Sequence, residues 1–520
     1  MKKNKKNDIR VRFAPSPTGY FHIGSARVAL FNFLFAKKNK GTFVLRIEDT
    51  DKERSKKEYE KDIMRSLEWL GISWDEGATP KGERGEFGPY RQSERGEIYK
   101  KYLRKLLEER KAYYCFCSKE ELDKMREKQK KKKEPPRYEG NCFLLSESEK
   151  EKMKKERKDF TIRLHIPDNK KIEFNDRIRG KVEFNTKDIG GDFVIAKKDL
   201  SPLYNFACVV DDHEMNATHV IRGEDHVSNT PKQILIQEAL GFSIPEFAHL
   251  PLILGTDKSK LSKRHGTVSL YGYKEKGYLP EALVNFIALL GWNPGNDEEL
   301  FVMEEIINKF SLEDCQKSGA IFDMGKLNYI NGYYIRKRDV SDITKMCIPH
   351  LVEADLIRVE FTEEQYPPAY GGKEPKESYY AHHREKKMSF NEVKDIVSLY
   401  QERMRTLAEI GELANYFFVK EPVYEKELLI WKNTPAEDIT TYLDKSIKTL
   451  SDIKEWSREE IEKRMVETAN KAQNRGVVLW PMRVALSGKK ASAGPFDIAY
   501  VLGKEETLRR LKNAKIKLQQ

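Results

Sequence analysis

Long apolar runs are missing from this chain. Its most hydrophobic stretch, Ala29 to Ala36 (ALFNFLFA), is too short to span a bilayer and is interrupted by Asn32, so no membrane-spanning segment and no membrane partner are expected. Cysteine is scarce as well. Six in 520 residues, at positions 115, 117, 142, 208, 315 and 347, exclude a disulfide framework and fit a reducing cytoplasm. The N-terminus, MKKNKKNDIR, has charge without the apolar stretch of a secretory signal. Internal repeats are absent, and low complexity is limited to a Lys-rich patch at 130–133. What is abundant is charge: 34% of residues carry it, Lys plus Arg number 95 against 83 for Asp plus Glu, and the net charge is +12. A pI near 9.0 favours an acidic partner such as nucleic acid. A generally charged surface satisfies the same composition, so the motifs must decide.

The length exceeds what one hydrophobic core organises, and the chain divides by character. Near its start, Val11, Phe13 and Ala14 form an apolar run broken by Pro15, Pro17 and Gly19, and a helical pattern begins at Ser25. A strand that turns into a helix presents unpaired N–H groups to phosphate, which places a nucleotide site, taken as ATP, near His22. TFVLRIED then reads as a buried strand that brings Arg46, Glu48 and Asp49 to the same sheet edge, and Ser55 with Glu58 reads as a capping box for the next helix. From Ala112 to about Lys198 the pattern changes to Cys-x-Cys, a Lys-rich helix and alternating strands such as FTIRLHI, the signature of an inserted domain. Within it, Cys115, Cys117 and Cys142 could supply three thiolates to zinc, with Tyr138 as an uncommon fourth ligand. The alternative is that the three are plain packing residues.

The α/β pattern resumes at SPLYNFACVVDDHEM, whose apolar run ends in two aspartates, and THVIRG ends in Arg222, Glu224 and Asp225. Thr230, Pro231 and Gln233 suggest another capping box. FAHLPLIL reads as a strand emptying into GTDKSKLSKRHG, a loop with Lys258, Lys260, Lys263 and Arg264 that suits a polyphosphate, although basic surface loops are common. Residues 279–335 read as a helical connector, and strand signals almost vanish after them. Capping signals at Ser389/Glu392, Thr434/Glu437 and Ser457/Glu460 give an all-helical last third, preceded by a Pro- and Gly-rich linker near 362–388. The expected domains are 1–111, 112–198, 199–278, 279–335 and 336–520.

In this order the motifs resemble those of the bacterial-type glutamyl-tRNA synthetases, within the class I aminoacyl-tRNA synthetases, over nearly the whole chain. RFAPSPTGYFHIGSARVALFN is similar to the HIGH region and KLSKR to the KMSKS loop. RIEDTD, GPYRQSER, YNFACVVDDHEM, HVIRGEDH and LWPMRVALSGKKASAGPF agree independently. The resemblance implies a Rossmann-type α/β catalytic domain with an inserted α+β acceptor-binding domain, then an all-α anticodon-binding region. It implies ATP-dependent attachment of L-glutamate to tRNA(Glu) through a glutamyl-adenylate, with Mg²⁺ accompanying ATP, by a cytoplasmic monomer. A form that also charges tRNA(Gln), or a non-catalytic tRNA-binding relative, stands as the alternative.

The family's site carries over residue by residue. ATP is assigned to Ser16, His22, Gly24, Asp225, Lys260 and Lys263, with His22, Lys260 and Lys263 catalytic. Glutamate is assigned to Arg12, Ala14, Ser16, Glu48, Tyr204 and Arg222, with His226 near the nucleotide. Arg403 falls where some members sense the third anticodon base. There are also departures: Ser25 stands at the last position of HIGH, Cys208 at a variable pocket position, and Leu144 where zinc-binding relatives carry histidine.

Overall fold

The computed structural model describes residues 9–156, 159–261, 269–360 and 378–520. Lys263 and Arg264 of the basic loop, and most of the Pro- and Gly-rich linker, lie outside them. The chain forms two compact units, Met1–Tyr273 with Pro280–Leu327, and Lys274–Leu279 with Asn328–Gln520.

The first unit is built on β1 (Arg10–Phe13), β2 (Thr42–Leu45), β3 (Glu76–Thr79) and the short antiparallel edge β4 (Gly82–Arg84). β2 lies parallel between β1 and β3, with Arg12 opposite Val44. Between β1 and β2 runs α1 (Ile23–Lys38), followed later by α2 (Lys57–Trp69) and α3 (Gly96–Glu108). α1 is buried on nearly every side, rather than on the single face its periodicity suggests, because helices Pro280–Leu289 and Met303–Lys309 cover the side away from the strands. Its buried Asn32 donates from Nδ2 to Val28 O and to Ile221 O, while its Oδ1 is buried with no hydrogen-bond partner among the described residues.

The inserted segment supplies β5 (Ala112–Cys115), α4 (Lys119–Lys131), α5 (Glu147–Glu156), β6 (Thr161–Leu164), β7 (Lys171–Asp176), β8 (Gly180–Asn185) and β9 (Val194–Ala196). β5, β6 and β9 form an antiparallel sheet. β7 and β8 instead join the catalytic strands: after α6 (Tyr204–Glu214) come β10 (His219–Gly223), α7 (Thr230–Leu240) and β11 (Glu246–Leu250), and the strand order is β10-β11-β7-β8. β10 meets β1 where Thr218 N donates to Arg10 O at 2.9 Å. β1, β2 and β3 run parallel in one sheet and β10 and β11 in the other, and the meeting of β1 with β10 brings the C-terminal ends of β1, β2 and β10 together, the place where open α/β sheets bind ligands. β12 (Ile253–Leu254) pairs with β13 (Ala320–Ile321) just beyond that edge.

Three capping expectations fail. The helix Lys57–Trp69 starts after Lys56 with no side-chain cap, α7 starts after Asn229 without one because the Thr230 hydroxyl bonds Arg222 instead, and the helix Ala436–Ser451 starts after Pro435 while the Thr434 hydroxyl donates to Trp431 O. The second unit corrects the all-helical expectation. Alongside its helices, β14 (Ile357–Glu360), β15 (Ser378–Ala381) and β16 (Lys386–Ser389) form a small antiparallel sheet that buries Ile357, Tyr379, Ala381 and Met388. These strands alternate over only four residues each, too few for a strand signal to stand out.

Candidate active site

The sheet edge opens into a cavity of about 330 Å³, and its walls contain Arg12, Ala14, Ser16, His22, Gly24, Glu48, Tyr204, Arg222, Asp225, His226 and Lys260. Every described residue expected at the site thus comes together, from positions more than 200 apart in the chain.

On one side is a buried lattice of charge. Arg12 Nε donates to Asp212 Oδ1 at 3.0 Å. Arg46 Nη1 reaches the same oxygen at 2.7 Å, while its Nη2 holds Glu48 Oε1 at 3.1 Å. Asp211 is in turn held by Arg95 (2.6 Å), Gln92 (2.8 Å) and Tyr99 (2.9 Å). Burial pushes both Glu48 and Asp212 up. At Asp212 the two arginines win and hold it down at about 2, whereas Glu48 stays raised. The Cys208 thiol is pushed up to about 12, chiefly by burial, and so is neutral at physiological pH. Here three arginines meet three carboxylates. An internal arginine–glutamate salt bridge does form, between Arg46 and Glu48, as one part of this lattice.

Arg222 breaks that balance. It is buried, its Nε donates to His249 Nε2 at 3.1 Å and its Nη2 to Thr230 Oγ1 at 2.7 Å, and it has no carboxylate among these partners. Its Nη1 is buried with no hydrogen-bond partner among the described residues. Such a group is costly to leave unmet and marks where an anion fits. Tyr204 Oη lies 3.1 Å from His226 Nδ1; burial and the Arg222 charge lower His226 to about 4, keeping it neutral.

The other side belongs to α1. His22 is its N-cap, and Nδ1 accepts from Ser25 N at 3.3 Å, which leaves the ring proton on Nε2, 3.2 Å from Ser25 Oγ. Desolvation and then the Lys260 charge lower its pKa, so a neutral imidazole faces the cavity. Gly24 has a concrete task here: a Cβ would approach the His22 ring to 3.1 Å. Lys260 lies 3.9 Å from Asp225 Oδ2 and is pinned where Leu261 N donates to Ile253 O. Arg27 is a second buried cation in the wall. Among the described residues it bonds only the carbonyls of Leu290, at 3.0 Å, and Pro251, and burial lowers it to about 10, still charged at neutral pH.

At the end of β5 the knuckle residues converge too. The sulfurs of Cys115, Cys117 and Cys142 lie within 4.8 Å of one another, and Tyr138 Oη is 3.4 Å from Cys115 and 3.5 Å from Cys117. Arg163 sits 3.9 Å above the Tyr138 ring, a cation beside sulfurs that would bind metal as thiolates. Leu144 is 83% exposed and stands away from the cluster. In the second unit Arg403 is exposed, with one Nη1 bond to Ser492 O at 2.6 Å.

The sequence motifs gave no site role to Arg95, Asp211, Asp212, Arg27 and His249, and placed Arg46 at the sheet edge without one. The signal for the aspartates was present, since an apolar run ending in two acids is an anomaly that only buried partners resolve. His249, a lone histidine in a strand buried from Phe247 to Leu250, was a similar sign.

A family profile described as "tRNA synthetases class I (E and Q), catalytic domain" matches residues 8–329, and one described as "Anticodon binding domain" matches 345–515. The chain is 47% identical to a glutamate–tRNA ligase of Carboxydothermus hydrogenoformans over 507 residues, covering 97% of this chain and 99% of the relative. It is 45% identical to one of Caldicellulosiruptor saccharolyticus, covering 97% and 98%. Among solved structures, a glutamate tRNA ligase from Elizabethkingia meningosepticum, in complex with its amino acid, superposes with a TM-score of 0.84 at 34% identity, covering 98% of this chain and 100% of that one. With the pocket at the sheet edge and both profiles in sequence order, the chain belongs to the bacterial glutamate–tRNA ligases of the class I tRNA synthetase (E and Q) family.

Proposed function

We propose that the chain attaches L-glutamate to tRNA(Glu) at the cost of ATP, through a glutamyl-adenylate formed in the cavity at the sheet edge. The observation that carries this reading is the buried Arg222 with its unmet Nη1 beside a lattice that is otherwise neutral. A carboxylate meets that open edge, and L-glutamate carries one on its side chain where L-glutamine carries a neutral amide.

Activation joins the α-carboxylate to the α-phosphate and expels pyrophosphate, a reaction that needs alignment and charge stabilisation more than proton transfer. Arg222 and Arg12 receive the substrate's carboxylates, Glu48 its ammonium group, and Tyr204, Ala14 and Ser16 line its path. The N-terminus of α1, the Nε2–H of His22 and the backbone at Gly24 face the nucleotide, with Asp225 at its rim. Lys260 and Lys263 serve the leaving pyrophosphate. Magnesium accompanies ATP on the phosphate oxygens. Residues 112–198 act on the acceptor end and 336–520 on the anticodon, with Arg403 facing the third base. Cys115, Cys117, Cys142 and Tyr138 are a four-donor set that suits a structural zinc, which would close the knuckle without taking part in catalysis.

Pyrophosphate exchange measured with tRNA(Glu) present tests this reading. Exchange requires L-glutamate and is not supported by L-glutamine, and Lys263→Ala slows it by at least 100-fold while tRNA binding stays within twofold. Exchange with L-glutamine alone, or equal losses of exchange and tRNA binding, contradicts it.

A further inference from the structure

Behind Arg222 lies a chain of buried groups that the pocket assignments leave unused. Arg222 and His249 are paired residues of the parallel strands β10 and β11. Asp176, the last residue of β7, is brought alongside by the pairing of Asp176 with Phe247. Its Oδ2 lies 2.6 Å from His249 Nδ1 and 3.1 Å from His249 N, and its Oδ1 accepts from the backbone N–H groups of Ile178 (2.9 Å) and Arg179 (2.8 Å). Both side chains are fully buried.

The donors and acceptors allow one arrangement. An arginine Nε can only donate, so His249 Nε2, 3.1 Å away, must accept, and the Thr230 hydroxyl meets the same nitrogen at 3.0 Å. The ring proton therefore sits on Nδ1, pointed at Asp176. The opposite tautomer would set an N–H against the Arg222 N–H and leave the Asp176 carboxylate facing a lone pair. Burial lowers His249, and the neighbouring Arg222 adds to this. Burial raises Asp176, but its hydrogen bonds from His249 and Arg179 outweigh that and keep it ionised. With Nε and Nη2 both committed, the guanidinium plane is fixed, and Nη1 is the edge left over.

We infer that Asp176 and His249 form a positioning relay: the carboxylate fixes the histidine tautomer, the histidine fixes the guanidinium plane of Arg222, and the inserted segment thereby sets the affinity for the substrate's side-chain carboxylate. Neither residue touches substrate. Asp176 comes from the strand pair that the inserted segment contributes to the catalytic sheet, so the relay ties that segment to amino-acid recognition. It rests on the reading that Arg222 meets the glutamate side chain.

The two parts are tested separately. In the ¹⁵N-histidine spectrum of the full chain without substrates, His249 is expected as the Nδ1–H tautomer; an Nε2–H ring overturns the relay whatever the enzyme's activity. In steady-state charging, His249→Asn keeps the donor to Asp176 but removes the acceptor for Arg222, and raises the glutamate KM at least tenfold with the ATP KM within twofold. His249→Gln places an oxygen where Nε2 was and returns the glutamate KM to within about threefold of wild type. Equal rises in both KM values, no rescue by His249→Gln, or a glutamate KM unmoved in His249→Asn while Arg222→Lys raises it, overturns the relay. A glutamate KM that Arg222→Lys also leaves unmoved overturns the reading of Arg222 itself.

Discussion

Arg222 has five N–H donors in a fixed plane, and the protein uses only part of them; lysine would bring the charge without the fork. Losing a charge-assisted hydrogen bond is worth about 1.5–3 kcal/mol. Arg222→Lys is therefore expected to raise the glutamate KM by about 10- to 150-fold, and a change below threefold would show that the unmet Nη1 has no role in recognition. His226 carries a pH prediction. Its folded pKa, about 4, lies below the unfolded value of about 6.5, so the unfolded chain binds the extra proton first as pH falls. Stability should drop between these values by up to about 1.4 kcal/mol per pH unit, a slope that His226→Gln reduces in pH-resolved chemical unfolding; an unchanged slope assigns it to other groups. The pocket residues were legible from the sequence because the motifs fix them to strand ends. Asp211, Asp212 and His249 stood out in the sequence only as polar residues in apolar runs, because the roles of buried polar groups are set by partners 27 to 200 residues away.

Among elements, the α1 N-terminus followed from its sequence, since His22 precedes it and Gly24 leaves room for the ring. The capping box read at Ser389/Glu392 forms, and Ser118 with Glu121 makes another. The one read at Thr230 fails because that hydroxyl serves Arg222 and His249, so tertiary demand overrides local preference at the site. The β14–β16 sheet escaped notice because half of each four-residue strand faces outward. The knuckle shows the limit of spacing arguments. Spacing offered Tyr138 only as an uncommon fourth ligand, and the fold places its Oη among the sulfurs. Metal analysis should find about one zinc per chain, Cys142→Ser should remove it, and Tyr138→Phe should weaken its retention against a chelator. A wild-type content near zero would leave three packing thiols.

At the scale of the whole molecule, the two compact units follow the two family profiles, residues 8–329 and 345–515, within a few tens of residues. Among the described residues no helix is long and apolar enough to cross a membrane. The net charge of +12 suits a polyanionic substrate, though composition alone could not choose it over a merely charged surface. The ordered motifs made that choice, because only one chemistry uses them together. The most direct measurement is charging of purified tRNA(Glu) and tRNA(Gln) with labelled glutamate and ATP. The account predicts glutamyl-tRNA(Glu) formed with one AMP released per glutamate attached, while tRNA(Gln) reports only how strictly the anticodon is read; no charging of either tRNA would contradict it.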